Sequence, residues 1–168
     1  DEITAVPGWA DDASDAIVIG AGGAARAVLV ALQRRHAGKV HVLNRTPANA
    51  QTLVEEIDGR FKAHGFEAFP KLAPRAGLVV NTTSIGMHGT RFDWLDVSLL
   101  PATALVTDIV YVPLETPLLA AARARGLRTV DGLGMLLHQA VPGFEAWFGV
   151  KPAVTGELRA RVEATLEH

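Results

Sequence analysis

Cysteine is absent from all 168 residues, which removes disulfides and thiolate chemistry and fits a reducing, cytoplasmic setting. Long apolar runs are missing too: none approaches the roughly 20 residues that a membrane span requires. No signal-peptide pattern is visible either. Neither sign of charge is in excess, with 16 Lys and Arg against 18 Asp and Glu. No basic stripe exists to displace counterions from phosphates, which argues against a nucleic-acid partner. Aromatic residues make up only 6%, and Tyr111 is the sole tyrosine. An initiator Met is lacking as well, and Asp1 to Trp9 reads like a connecting segment. Residues 1–15 are therefore expected to be a linker from another domain. What remains is a chain 49% hydrophobic, long enough for one well-buried domain and short for two.

The most informative stretch is Ala16-Ile17-Val18-Ile19-Gly20-Ala21-Gly22-Gly23-Ala24, an apolar run that stops on a glycine cluster and resumes as a helix former. It reads as the first strand, tight turn and first helix of a dinucleotide-binding unit. One glycine lets the backbone turn sharply, and another lets a pyrophosphate approach amides at a helix N-terminus. The spacing departs from Gly-x-Gly-x-x-Gly, and glycine turns also occur without ligands.

The second strand, Lys39 to Thr46, adds weight. An NAD site usually places a carboxylate at the end of this strand to bind ribose hydroxyls, whereas a 2′-phosphate needs a cation. Here the carboxylate is absent and Arg45 is present, which favours NADP. The competing reading of Arg45 is a solvated surface cation.

Further along, the spacing predicts a helix from Pro47 to Ile57, a weak strand near Phe66 to Phe69, and strands at Leu78–Asn81, Ala104–Ile109 and Arg128–Asp131. A helix from Pro117 to Arg125 is closed by Gly126. Strands alternating with helices imply a Rossmann-type doubly wound parallel sheet of six strands, an α/β fold. Its domain covers residues 16–150 and a C-terminal helix follows at 151–165. Residues 166–168 look like a tag remnant outside the fold. In such sheets ligands sit beyond the carboxyl ends of the strands, where strand order reverses. The glycine turn, Arg45, the loop after Asn81 and the loop after Ile109 should therefore face one crevice.

The loop Asn81 to Met87 is dense in hydroxyls and amides; Thr82 and Ser84 can bond a nicotinamide ribose or amide, or simply satisfy their own turn. On a helical wheel Leu133, Leu136, Leu137, Ala140, Val141, Phe144 and Trp147 form one apolar stripe expected to pack on the sheet. Gly132, Met135 and Gln139 fall on another face, open to the crevice, and His138 is expected to be structural. A Met there is more often packing than cofactor contact.

Taken together, Gly20 to Ala24, Asn44-Arg45-Thr46, Asn81-Thr82-Thr83-Ser84-x-Gly86-Met87, Asp108-x-x-Tyr111-x-Pro113 and Asp131-Gly132-Leu133-Gly134-Met135-Leu136-x-x-Gln139 resemble shikimate dehydrogenase, in its C-terminal NADP-binding half only. The resemblance implies reduction of 3-dehydroshikimate to shikimate by NADPH, in aromatic amino-acid biosynthesis. It implies that Gly20, Ala21, Gly22, Gly23 and Ala24 cradle the pyrophosphate, and that Asn44, Arg45, Thr46 and Asn49 hold the adenosine phosphate. Ile109, Gly132 and Met135 would line the nicotinamide, and Tyr111 and Gln139 would reach the substrate. Asn49 departs from the family, which commonly has a second basic residue there.

Reduction of a ketone needs a proton donor beside the developing alkoxide. A Tyr with a Lys four residues on would serve, but position 115 is Glu115, and His88 has no group nearby to orient it. The resemblance assigns that work to a Lys and an Asp of an N-terminal domain, so no catalytic residue and no metal ligand is assigned here. The isolated chain is expected to bind NADP without turnover. An NAD-accepting quinate/shikimate dehydrogenase is the nearest alternative, and a non-catalytic nucleotide-binding module is a second.

Overall fold

The computed structural model describes residues 14–35, 38–57 and 59–166. β1 (Asp15–Ile19) is buried at every position, as expected of a parallel strand covered on both faces. α1 (Gly23–Arg35) returns along the sheet, burying Ala25, Leu29 and Leu32. β2 (Val40–Leu43) follows, then α2 (Pro47–Glu56), whose Pro47 sits in the first turn where no amide partner is needed. After β3 (Phe61–His64) come a 3₁₀ turn (Phe66–Ala68) and the short α3 (Phe69–Leu72). β4 (Ala76–Asn81) is the longest strand of the sheet, and β5 (Ile85–His88) lies outside the sheet. β6 (Leu105–Asp108), α4 (Pro117–Ala124), β7 (Arg128–Val130), α5 (Leu133–Phe148) and α6 (Gly156–Leu166) complete the chain.

Six strands pair in the order β3-β2-β1-β4-β6-β7, all parallel. The chain winds outward from β1 through β2 to β3, then crosses to the other side of β1 with β4. That reversal between β1 and β4 opens a crevice at the strands' carboxyl ends. One face of the sheet packs Ala16, Val18, Leu78 and Val80 against α1 and α2. The other packs Ile17, Ile19, Val79 and Val106 against Phe69, Leu118, Leu119 and Ala122.

The parallel six-stranded architecture is as the sequence implies, but four details differ. The third strand is Phe61–His64, not Phe66–Phe69. Gly65 ends the strand, and Phe66 and Phe69 then both face Trp94, with ring centroids 4.2 and 5.5 Å away. That spacing of three belongs to a helical turn rather than a strand. The final helix starts at Gly156, not 151, and its last turn includes Leu166. Asp15 is the first residue of β1, which corrects the linker's boundary; residues 1–13 and 167–168 lie outside the described residues. Finally, the apolar stripe of α5 packs only along its first half. Leu133 and Leu137 are buried, but Trp147 is 83% and Phe148 64% exposed, because this 16-residue helix outruns a three-residue strand.

Candidate functional site: a cleft at the switch point

A cleft of about 580 Å³ lies between α1 and α5 over the right half of the sheet. Its floor includes Val80, Thr107 and Val130, which the ladder places side by side on β4, β6 and β7. One wall is Gly23, Ala24, Ala27, Val28 and Ala31 of α1; the other is Gly134, Met135, His138 and Gln139 of α5. Ile109 and the carboxylate residues Asp108 and Asp131 complete the lining. Apolar walls with a few convergent polar groups are the usual make-up of a small-molecule site.

Of the residues singled out in the sequence, the cleft brings together Gly23, Ala24, Ile109, Met135 and Gln139. His138, expected to be structural, lines it too, half-buried between Met135 and Gln139 on the helix face opposite α1. Tyr111 is half-buried in the loop after β6 and Ser84 is exposed in the loop after β4. Neither is part of the cleft lining.

The glycine turn has two kinds of glycine. Gly20 has φ +109°, and a Cβ there would fall 2.7 Å from Thr82 Oγ1 and 2.9 Å from Thr83 Cγ2. Thr82 is buried, and both its amide and its hydroxyl donate to the Ile19 carbonyl, at 2.9 and 2.6 Å. Gly20 is thus demanded by backbone conformation and by packing. Gly22 and Gly23 are exposed, and a Cβ on either would meet nothing within 4 Å. The fold itself does not need them bare; the open space they leave lies over the N-terminal end of α1, whose first turn holds no acidic residue.

The loop after β2 is equally open. The Gly20 amide donates to the Leu43 carbonyl at 2.8 Å, which sets the ends of β1 and β2 side by side. Asn44 donates from its amide side chain to the Thr46 carbonyl at 2.9 Å, shaping the turn into α2. Arg45, Thr46 and Asn49 are exposed around that turn. Among the described residues no carboxylate pairs with Arg45.

The opposite end is closed. Asp108, fully buried at the end of β6, accepts at Oδ1 from Asn81 Nδ2 (2.8 Å) and the Val110 amide (3.0 Å), and at Oδ2 from the Thr116 hydroxyl (2.8 Å). Burial pushes its carboxyl above the usual range, and these three donors pull it back only in part. Asn81 Oδ1 in turn accepts from the Thr83 amide and hydroxyl, at 2.9 and 2.8 Å. Gly132, buried ahead of α5, lies against the same loop: a Cβ would be 2.3 Å from the Ile109 carbonyl oxygen. Asp108 and Thr116 were not singled out for any role in the sequence. The signal was an acid inside the apolar stretch 104–110, where a carboxylate must find donors.

The sheet order and the glycine turn at its reversal define a Rossmann-type domain with a ligand cleft at the switch point. Residues 9–109 match the shikimate / quinate 5-dehydrogenase family, and residues 132–162 match the shikimate 5'-dehydrogenase C-terminal domain. The chain belongs to the shikimate/quinate 5-dehydrogenase family. A shikimate dehydrogenase (NADP(+)) of Mesorhizobium japonicum is 59% identical over 95% of this chain and 57% of its own length. One from Nitrobacter winogradskyi is 56% identical over 96% of this chain and 58% of its own length. The chain thus spans a little over half the length of these curated relatives. Among solved structures, quinate dehydrogenase from Corynebacterium glutamicum in complex with NAD aligns with TM-score 0.79 and 32% identity, covering 93% of this chain and 55% of that one. The Thermus thermophilus shikimate 5-dehydrogenase in complex with NADP(H) and shikimate aligns with TM-score 0.71 and 36% identity, covering 90% and 54%.

Proposed function

We propose that this chain is the NADP-binding half of a shikimate dehydrogenase, a reductase that converts 3-dehydroshikimate to shikimate. The observation that carries the cofactor preference is Arg45, an exposed guanidinium without a carboxylate partner among the described residues, beside the glycine turn. A 2′-phosphate supplies the charge and the two acceptor oxygens that such a group binds best. Gly22 and Gly23 leave room for the pyrophosphate above the amides of α1. Ile109 and Met135 would flank the nicotinamide, with Gly132 bringing their two segments together, and Thr82, Ser84, Asn44, Thr46 and Asn49 would supply polar contacts at either end. When bound, the cofactor supplies the hydride; the chain's own residues hold it and exclude water from one side of the ring.

Tyr111 and Gln139 are the substrate-facing polar groups in this reading. Gln139 is exposed on the cleft-facing side of α5. No described residue of the cleft is oriented as a proton donor, so we assign that role to the part of the protein that completes the length of its relatives. The exposed apolar end of α5 supports this. The Phe144 and Phe148 rings lie tilted against each other with centroids 4.5 Å apart, and with Trp147 and Val150 they offer an apolar patch of the kind that a neighbouring domain covers.

The deciding experiment is a titration of the chain with NADPH and NADH. NADPH should bind more tightly, and Arg45→Ala should cost about 2 kcal/mol with NADPH but leave NADH unchanged. Equal affinity for both cofactors before and after substitution would refute the NADP reading. The bound NAD of the Corynebacterium relative and the neutral Asn49 favour, as the second reading, a quinate/shikimate dehydrogenase that accepts NAD. Better binding of NADH than NADPH would select it.

A further inference from the structure

We propose that Asp108 is a positioning residue, which clasps the loop after β6 and so fixes Ile109 and Tyr111 relative to the nicotinamide end of the cleft. The proposal rests on the reductase reading above and concerns a residue that this reading leaves without a task.

Three donors converge on the Asp108 carboxylate from three places in the chain. Asn81 comes from the end of β4, the Val110 amide from the loop itself, and Thr116 from the cap of α4. The loop from Ile109 to Glu115 is therefore tied at its beginning by Val110 and at its end by Thr116, both to one side chain. Tyr111 lies between the two ties. The Ile109 amide also donates to the Asn81 carbonyl at 3.1 Å, so β4 and β6 are held in register up to the cleft's edge.

Two glycines let other segments close on this clasp. Gly86, at φ +117°, brings the loop after β4 to where a Cβ would be 3.3 Å from Thr116 and 3.4 Å from Asp108 Oδ2. Gly132 brings the start of α5 onto the Ile109–Val110 backbone, and with it Met135 and Gln139. All three groups that hydrogen-bond the carboxylate are donors, which is why an acceptor-only side chain fits there. An amide can satisfy two of the three donors at best without turning the Thr116 hydroxyl, which already accepts from the Leu119 amide at 3.3 Å.

Asp108 does not touch the adenosine end, and this separates positioning from mere folding. The chain would be titrated with adenosine 2′,5′-bisphosphate, and the two-domain reductase assayed with NADP and shikimate. In Asp108→Ala, kcat should fall about 100-fold, the scale of a misplacement of about 1 Å at a reacting centre, while adenosine bisphosphate binds as in the parent. Asp108→Asn should fall less, because its carbonyl still accepts from Asn81 and Val110. Thr116→Val should lower kcat about tenfold by releasing the far tie, and Thr116→Ser should restore it. If Asp108→Ala does not fold, the Thr116 pair decides.

Unchanged kcat in both Asp108→Ala and Thr116→Val would overturn the proposal. So would loss of adenosine bisphosphate binding in step with kcat, since that is the mark of a general structural defect. Failure of the parent protein to bind NADP, or to oxidise shikimate, would instead overturn the reductase reading and the present proposal with it.

Discussion

Around the glycine turn and the loop after β2, Gly22, Gly23, Arg45 and Asn49 are exposed, and a Cβ on either glycine would meet nothing within 4 Å, whereas around the end of β6 Asn81, Asp108, Thr116 and Gly132 are buried. In the first region the described fold does not require Gly22 and Gly23 to be bare, and the space they leave is what the proposed cofactor would use. The second region is shaped by the protein for itself: the side chains of Asn81, Asp108 and Thr116 are all hydrogen-bonded within it. One end can therefore lose a side chain with little effect on folding, while the other cannot. This division suits a two-part ligand whose charged half provides affinity and whose reactive half must be aligned.

Gly132→Ala is the harshest way to break the comparison. Its new methyl would lie within 2.6 Å of three backbone atoms, the Ile109 carbon and oxygen and the Val110 oxygen. Backbone cannot rotate aside as a side chain can, so the start of α5 must move off the loop. The expected loss of stability is about 3 kcal/mol, the upper range for overpacking, read as a lower urea midpoint at unchanged slope. A variant as stable as its parent would show that the close approach carries no constraint.

Gly23→Ala tests the open end. The added methyl meets nothing in the protein, and alanine favours the helix, so stability should hold or rise by up to about 1 kcal/mol. NADPH affinity should nevertheless fall about tenfold, or about 1.4 kcal/mol, because the methyl takes the space proposed for phosphate. Opposite signs for folding and binding at one position are the signature of a residue kept bare for a ligand. Unchanged affinity would mean that the pyrophosphate lies elsewhere.

How far each end could be read from the sequence follows the same line. The glycine turn and Arg45 are local: a strand, a turn and a helix within about 30 residues, with a periodicity that announces itself. The clasp is not local. Asp108 and Asn81 are 27 residues apart, and only the parallel pairing of β4 and β6 sets Asn81 beside Asp108. The third strand was hidden for another reason. Phe61–His64 lies at the sheet edge with Lys62 exposed, while the more apolar Phe66 and Phe69 belong to a turn that packs on Trp94. His138 lies on the cleft side rather than nearer the apolar stripe, because the wheel supplies angles but not the width of the buried face. Only the first turns of α5 lie on the sheet, and the side turned to α1 stays open.

The smallest expected effect sharpens the comparison beneath the adenosine end. There His41, buried on β2, lies 3.0 Å from His64 Nε2 and 3.4 Å from Asp15 Oδ2. Burial is the main force holding both imidazoles below their ordinary value of 6.5; Asp15 pulls His41 the other way, Lys62 and Lys39 oppose a charge on His41, and His41 and Lys62 oppose one on His64. The unfolded chain therefore takes up more protons on acidification than the folded one. The stability contributed by the neutral pair is present above the ordinary imidazole value and is lost as the pH falls below it. The urea midpoint should drop between about pH 7.5 and about pH 5.5, and His64→Gln should make that drop shallower. Because the pair bridges β1, β2 and β3 and touches nothing on β6 or β7, the loss should loosen the half of the sheet that carries Arg45 first. Hydrogen exchange at low pH would then quicken in β2 and β3 before β6; uniform quickening across the sheet would show that the two halves unfold as one.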